Sequence, residues 1–209
     1  MNYRYPEMRI LVMARAPVPG QAKTRLIPAL GEAGAAALHQ QLLERLLAAL
    51  QQAALAPLQL WCSPDTRHPY FMDCANRYVL SLHTQQGADL GARMAHALDT
   101  ALQDAEAALV IGCDIPAMDG AYLEQACVAL ADGAQAVLGP SEDGGYTLLG
   151  LRQSAPPLFE EMPWGTALVL ARTRAALTSL GWQWHELETL WDVDRPEDLP
   201  RLQALLESP

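Results

Sequence analysis

Short, continuous apolar runs alternate along the chain with longer stretches that have helical periodicity. Uninterrupted apolar runs are typical of strands that are buried on both faces of a sheet. The clearest run is 107–113, and the other candidate strands are 9–14, 58–63, 78–84, 134–139 and 146–151. Segment 187–193 is predicted to be mostly extended.

Between these runs, apolar residues recur at spacings of three and four, which predicts helices with one apolar face. The predicted helices are 32–55, 89–105, 119–131, 166–180 and 196–206. Asp89 stands where the second of them needs an N-cap. Strands alternating with helices predict a single α/β domain over 1–209, with a parallel sheet covered on both faces. Ligands of such sheets bind beyond the carboxyl ends of the strands, so the chemistry is expected there.

Composition narrows the class of protein. Hydrophobic residues make up 51% of the chain and charged residues 18%, which excludes intrinsic disorder. No apolar run is long enough to span a membrane. The apolar stretch near the N-terminus is too short for a signal peptide, and we therefore expect a cytoplasmic protein. The cysteines have no metal-ligand spacing and are expected to be reduced, buried thiols.

The net charge of −10 argues against a nucleic-acid partner, but the charge is unevenly distributed. Basic side chains concentrate in residues 1–25 and acidic ones in 186–198. A basic segment suits a phosphate, and an acidic segment suits a divalent metal ion.

The loop after the first strand is the first candidate binding segment. It contains Ala16, Pro17 and Gly20, followed by Lys23, the only lysine in the chain, and Arg25. A compact ammonium beyond a strand end suits a diphosphate or triphosphate. The glycine spacing of a Walker P-loop is absent, so a P-loop NTPase is rejected. A merely solvated basic loop remains the alternative.

Three aspartates form the candidate metal site. Asp114 ends the apolar strand 107–113, and Asp192 and Asp194 lie two residues apart in an extended segment, which puts them on one face. Aligned carboxylates repel each other unless a cation sits between them, and together with Asp114 they favour Mg²⁺ or Mn²⁺. The alternatives are a turn role for Asp114 and a helix-capping role for Asp194, which could also serve both purposes.

Two further loops carry polar residues. Glu142 and Asp143 precede a glycine pair and are candidates for an acceptor-side base, although an ordinary Asp-Gly hairpin turn explains them equally well. Gln86, Gly87 and Asp89 open a helix, whose N-terminus attracts polar ligand groups, and simple capping is the alternative. The histidines are interpreted as surface or satisfied core residues. The tryptophans are interpreted as packing residues, with Trp164 the candidate for an acceptor pocket.

With these segments together, the chain resembles the radical-SAM/selenodomain-associated transferase family. The resemblance runs from Met8 to about Leu205, and its ordered motifs are APVPG with KTRL, QGADLGARM, GCDIP, LGPSEDGGY and DVDRPEDL. It implies a Rossmann-like GT-A fold, a three-layer sandwich with a mostly parallel central sheet. That fold also occurs in guanylyltransferases of the phospholactate and molybdenum-cofactor type.

The resemblance also implies roles for individual residues. Lys23 contacts donor phosphates, and Asp114, Asp192 and Asp194 hold the metal ion. The implied function is a metal-dependent transferase that uses a nucleotide-activated donor and a small-molecule acceptor, with glycosyl transfer favoured. The alternatives are a nucleotidyltransferase acting on a small phosphorylated acceptor and a non-catalytic nucleotide-binding partner of a pathway enzyme. A homodimer is left open.

Two physical expectations follow for the aspartates. They should gather at one edge of the sheet facing the Lys23 loop, and at least one should have a raised pKa because of burial or like charge. Replacing Asp114 with alanine should cost little stability, since that removes a repelling charge.

Overall fold

The computed structural model describes residues 2–207 and contains a seven-stranded sheet flanked by helices. The strands are β1 (Met8–Arg15), β2 (Leu58–Ser63), β3 (Leu80–Thr84), β4 (Ala107–Ile111), β5 (Ala136–Pro140), β6 (Tyr146–Leu151) and β7 (Trp184–Glu186). The α-helices are α1 (Ile27–Ala53), α2 (Pro69–Arg77), α3 (Leu90–Ala101), α4 (Gly120–Ala131), α5 (Val169–Ser179) and α6 (Leu199–Glu207). Short 3₁₀ turns lie at Thr24–Leu26, Pro156–Leu158 and Pro196–Asp198.

The strand order is β3-β2-β1-β4-β6-β5-β7, and all neighbouring pairs are parallel except those that include β6. A mostly parallel sheet is thus confirmed. Strand β6 runs antiparallel because a short loop, 141–145, joins it to β5, and so short a loop leaves no room for a crossover. The hairpin reading of the Asp-Gly loop is therefore confirmed.

Both faces of the sheet are covered, which makes the three-layer sandwich. Along β1, Ile10 and Val12 pack on the face that carries α1, α2 and α4, whereas Leu11 packs on the opposite face with α3 and α5. This alternation within a fully apolar strand is the pattern expected of a strand buried on both faces.

Several element boundaries differ from the sequence predictions. The first helix begins at Ile27, not at residue 32, with a break at Gly31, whose φ of 70° is not helical. Helix α2 was not predicted, and segment 187–193 is not a strand; the strand of that region is β7, at 184–186. The last predicted helix is a 3₁₀ turn followed by α6.

Besides the two apolar clusters on the faces of the sheet, a third apolar cluster packs the C-terminal segment against the loop that follows β1. It contains Leu26, Leu42, Trp191, Val193 and Leu202, from the loop, α1, the segment after β7 and α6. This packing brings the loop after β1 and the C-terminal segment to one edge of the sheet. Among the described residues, no helix is long and apolar enough to cross a bilayer.

Candidate functional site

Lys23 is held at the junction of three segments. Its backbone adopts a left-handed conformation (φ 48°, ψ 46°), and its side chain is only 6% exposed. The ammonium Nζ donates to Oδ2 of Asp114 at 2.6 Å and to the carbonyl oxygen of Val193 at 2.5 Å. Burial opposes the charged form, but the attraction and hydrogen bond of Asp114 outweigh it, and the pKa of Lys23 is raised.

Asp114 joins the carboxyl end of β4 to the C-terminal segment. Its carbonyl oxygen accepts a hydrogen bond from the N–H of Val193 at 3.0 Å. Asp114 therefore lies beside the stretch that carries Asp192 and Asp194, as expected of residues gathered at one edge of the sheet. The expectation that its loss costs little stability stays a prediction, and the pairing argues against it, because the loss would leave the buried ammonium of Lys23 without its carboxylate.

Asp192 and Asp194 lie on the same side of their segment, since both line one cavity of about 460 Å³. Val193 between them is fully buried and points the other way, as the period of two predicts. Burial, together with the like charges of Asp114 and Asp143, raises the pKa of Asp192 to about 6, although Lys23 opposes this. The expected raised pKa is thus confirmed.

Asp194 does not cap the following turn. Its carboxylate pairs with the guanidinium of Arg25, while its own N–H donates to Asp198 Oδ2 at 2.9 Å. The same Asp198 oxygen accepts the N–H of Arg195 at 2.7 Å. The capping alternative for Asp194 is therefore wrong, because Asp198 accepts the hydrogen bonds of these N–H groups. The side chain of Asp194 instead faces the N-terminal loop, where it pairs with Arg25.

The carboxylate oxygens at this edge of the sheet are ligands that a hard divalent cation prefers, although the structure does not gather three such side chains, among the residues it describes, around one point. Within residues 2–207, no three His, Cys, Asp or Glu side chains are positioned to hold a metal ion together. Asp114 and Asp192 do line a common cavity, and their mutual repulsion is the kind that Mg²⁺ or Mn²⁺ relieves. These two carboxylates would hold the ion, with Asp194 joining if it left Arg25, and the ion would supply positive charge beside a phosphate leaving group.

The two candidate bases, Glu142 and Asp143, both lie in the loop between β5 and β6 but have different hydrogen-bond partners. Both carboxylate oxygens of Glu142 accept from Arg201 on α6, at 2.8 and 2.9 Å, and this pairing lowers the pKa of Glu142. Asp143 instead lines the cavity that contains Asp114 and Asp192, with its Oδ1 accepting the N–H of Gly145 at 2.9 Å. Glu142 and Asp143 both line the cavity of about 460 Å³ with Asp192 and Asp194, but of the two only Asp143 also lines the cavity that contains Asp114.

Gln86, Gly87 and Asp89 lie at the start of α3, apart from the cavity that Lys23 lines. Asp89 is the N-cap, since its Oδ1 accepts the N–H of Ala92 at 2.8 Å. Gln86 is exposed, and the carbonyl oxygen of Gly87 accepts from Arg93 Nε at 3.2 Å. The predicted capping role is confirmed, while ligand contact by these residues stays a prediction.

A basic cleft of about 370 Å³ lies beside the N-terminal loop. Its basic side chains are Arg15, Lys23, Arg25 and His39, and it also contains Asp114 and Asp194. His39 is buried in α1, its Nε2 bonds the carbonyl oxygen of Arg15 at 2.8 Å, and burial lowers its pKa. Its Nδ1 has no hydrogen-bond partner among the described residues, so this core histidine is only half satisfied.

The other predicted binding residues of the loop after β1 determine the path of its backbone. Gly20 turns the chain at a φ of 78°, a left-handed conformation that favours glycine, and Pro17 is partly exposed. Ala16 is buried, with its N–H donating to Ser63 and its carbonyl oxygen accepting from Val18. The backbone of Ala16 is therefore already hydrogen-bonded within the chain.

Asp114 also lines a further cavity, of about 190 Å³, which we call the aromatic cavity. Its apolar walls include Met94, Tyr146, Trp164 and Val169, and its polar end contains Ser141, Asp114, Asp143 and Asp192. Sequence reasoning missed Ser141 and Tyr146, although both stand in the GPSEDGGY motif. Trp164, the tryptophan named above as a candidate for an acceptor pocket, lines this cavity.

The four cysteines are buried, free thiols, as predicted. Burial raises the pKa of Cys113, beside Asp114, to about 12, which favours the protonated thiol at neutral pH.

Solved structures with the same architecture are nucleotide-sugar transferase and nucleotidyltransferase proteins. A candidate nucleotide-diphospho-sugar transferase of Desulfovibrio desulfuricans G20 has a TM-score of 0.85 and 29% identity, over 96% of this chain and 94% of its own. The 4-diphosphocytidyl-2C-methyl-D-erythritol synthase of Anaerococcus prevotii has a TM-score of 0.64 and 11% identity, over 97% and 99%. A nucleotidyl transferase of Methanothermobacter thermautotrophicus has a TM-score of 0.65 and 15% identity, over 97% and 99%.

At these identities, the last two similarities concern the fold alone, and the fold they share is the one predicted. None of the curated proteins matches the chain in sequence. A family described as an uncharacterized protein conserved in bacteria, DUF2064, matches residues 46–166, which include the second to fourth motifs quoted above. The chain therefore belongs to the DUF2064 family and has the fold of nucleotide-diphospho-sugar transferases and cytidylyltransferases.

Proposed function

We propose that the protein is a transferase that takes a nucleotide-activated donor in the basic cleft and an acceptor in the aromatic cavity. The observation that carries this proposal is that the two cavities meet at Asp114, which lines both. One cavity is basic and the other largely apolar, and a two-substrate reaction needs such a pair of unlike cavities with a shared wall. The reacting atoms would meet beside Asp114.

Lys23 and Arg25 are the phosphate-binding groups of the proposal. Each is paired with an aspartate that is also a metal candidate, namely Asp114 and Asp194. Donor phosphates would take over these cations, and the released carboxylates would be free to hold Mg²⁺ or Mn²⁺. The charge that develops on the leaving phosphate would then be stabilised by Lys23 and Arg25.

We propose glycosyl transfer as the reaction, in line with the nucleotide-sugar assignment of the Desulfovibrio protein. The acceptor hydroxyl oxygen would bond to the donor sugar carbon while the bond from that carbon to the nucleoside diphosphate breaks. The acceptor proton would pass to Asp143 if the configuration is inverted, since Glu142 is paired with Arg201.

The test is a thermal-shift panel of nucleotide sugars and nucleoside triphosphates in the presence of Mn²⁺. A nucleotide sugar should raise the melting temperature, and turnover should release a nucleoside diphosphate. A triphosphate response with pyrophosphate release would replace glycosyl by nucleotidyl transfer. Binding without turnover across an acceptor panel would favour a non-catalytic nucleotide-binding protein.

A matched pair of arginine variants controls this panel. Both Arg25 and Arg174 are at least partly exposed and paired with a carboxylate, but Arg174 lies on α5 with Glu186, outside the basic cleft. We expect Arg25→Met to weaken donor binding about tenfold, equivalent to roughly 1.4 kcal/mol, and Arg174→Met to leave it unchanged. Equal effects of the two variants would contradict the placement of the phosphates.

A further inference from the structure

We propose that the aromatic cavity takes a small alcohol with a flat apolar body, and that it rejects phosphorylated or carboxylated acceptors. This inference rests on the proposed function, because it names the acceptor class of the same site. Four features of the cavity carry it: its walls, its size, an unpartnered buried hydroxyl and the sign of its charge.

The walls of the cavity are aromatic and closely held. The indole of Trp164 lies directly against Gly91 of α3, where an added Cβ would meet indole Nε1 at 2.4 Å. The Tyr146 ring stands edge-on to this indole, with centroids 6.3 Å apart. Met94 lines the same cavity. A flat ring is the body that best fills a space bounded by such surfaces.

The size of the cavity sets the size of the acceptor. An apolar protein cavity of about 150 Å³ accommodates benzene, and this cavity measures about 190 Å³. One ring with a short hydroxyl-bearing substituent therefore fits, whereas an oligosaccharide does not. Leu90 at the rim is half exposed, so the cavity can be entered from solvent.

The polar end of the cavity calls for a group that both donates and accepts hydrogen bonds. Ser141 is only 7% exposed, and its Oγ has no hydrogen-bond partner among the described residues. An unsatisfied buried hydroxyl is costly, and a ligand hydroxyl would satisfy it. Asp143 lines the same end and can accept the hydrogen of that ligand hydroxyl.

The charge of the cavity excludes anionic acceptors. Its lining includes three aspartates, Asp114, Asp143 and Asp192, and among the described residues that line it there is no Lys, Arg or His. Lys23 lies nearby, but its Nζ is engaged by Asp114 and the Val193 carbonyl. Lys23 therefore pairs with Asp114, and Asp143 and Asp192 have no cation among the described residues that line the cavity, so a phosphate or carboxylate on the acceptor would be repelled.

The test uses one ring with two head groups, benzyl alcohol and benzyl phosphate, titrated into the full-length protein by ligand-observed NMR. We expect benzyl alcohol to bind at least tenfold more tightly than benzyl phosphate. Benzyl phosphate binding as tightly as the alcohol would overturn the inference.

Two wall variants locate the binding, with a tryptophan outside the cavity as the control. Trp164→Ala should weaken benzyl alcohol at least fivefold, whereas Trp184→Ala, on β7, should not. Gly91→Ala covers the case in which Trp164→Ala fails to fold, since alanine favours the helix while its methyl group displaces the indole. Unchanged benzyl alcohol binding in Gly91→Ala, or in a folded Trp164→Ala, would overturn the inference.

Donor titration on the same samples separates this inference from the proposed function. If a nucleotide binds with Mn²⁺ and benzyl alcohol does not, the acceptor inference is wrong and the transferase proposal stands. If benzyl alcohol binds in the manner described and no nucleotide does, the cavity assignment holds and the transferase proposal fails.

Discussion

At the scale of single residues, the site is a set of charges that neutralise one another. Lys23 is paired with Asp114 and Arg25 with Asp194, while no cation among residues 2–207 forms an ion pair with Asp192. The sequence supplies these charges, but their pairing depends on which loops lie side by side. Two predictions follow from this pairing.

The first concerns pH. Burial raises the pKa of Asp192 in the folded protein to about 6, above its ordinary value of 3.8, so the folded state binds more protons between those values. Stability contributed by this group is therefore lost as pH rises through that window. Allowing for solvent screening, we expect Asp192→Asn to stabilise the protein at pH 8 by about 1 kcal/mol, or roughly 2–4 °C in Tm.

Thermal unfolding at pH 8 and pH 4 measures this effect. At pH 4 the carboxyl of Asp192 is protonated in the folded state, and the difference between variant and parent should largely disappear. Asp194→Asn, which loses the ion pair with Arg25, is the control and should give no gain at pH 8. A gain of equal size at both pH values would rule out the ionised, buried carboxyl as the cause.

The second prediction contrasts a buried with an exposed ion pair. The Lys23 side chain is 6% exposed and that of Arg25 is 63% exposed. We expect Lys23→Met to destabilise the protein by about 3 kcal/mol, because Asp114 is left unpaired, and Arg25→Met by less than about 1 kcal/mol. Urea unfolding measures both, and adding Asp114→Asn to Lys23→Met should recover part of the loss. Absence of any recovery would show that packing, not charge, is responsible.

At the scale of elements, helices were predicted well where a cap or a long period marks them. Asp89 caps α3 and Asp119 caps α4, each accepting an N–H at 2.8 Å. Helix α2 was missed because it has only nine residues and its apolar positions, among them Tyr70 and Phe71, are too few to establish a period.

These two caps offer a matched comparison. Asp89→Ala and Asp119→Ala should each cost about 1 kcal/mol of stability, since each removes one capping hydrogen bond. If Asp89 also contacts the donor, only Asp89→Ala should weaken nucleotide binding beyond the effect of lost stability. Denaturant unfolding and nucleotide titration measure the two quantities, and equal nucleotide affinity in both variants would reduce Asp89 to a capping residue.

At the scale of the whole molecule, the C-terminal segment completes the site. Val193 contributes its carbonyl oxygen to Lys23 and its N–H to Asp114, while its side chain is buried in the third apolar cluster. The position of Asp192 and Asp194 therefore depends on how well α6 and the N-terminal loop pack around that side chain.

Two buried valines separate this role from stability in general. Val193 and Val137 on β5 are both fully buried, but Val137 packs in the main sheet core. We expect both alanine variants to lose about 2 kcal/mol, whereas only Val193→Ala should also weaken donor binding severalfold at a temperature where both are folded. Calorimetric titration measures this, and equal binding losses would contradict a positioning role for the third cluster.

The sequence by itself determined the α/β class, most strands, the N-cap of α3 and the common side of Asp192 and Asp194. All of these follow from local periodicity or from short spacings, which the backbone geometry converts directly into faces and ends. The family motifs identified Lys23 and Asp114 as candidate site residues, but they did not predict that the two side chains form an ion pair.

Only the tertiary structure decided the partners of Glu142 and Asp194, and the packing of Trp164 against Gly91 in the wall of the aromatic cavity. These features join residues that are distant in sequence, such as Glu142 with Arg201 on α6. No spacing rule encodes such a contact, because it depends on which helices and loops pack together around the shared core. The same packing divides the charged edge of the sheet into a basic cleft and an aromatic cavity that meet at Asp114.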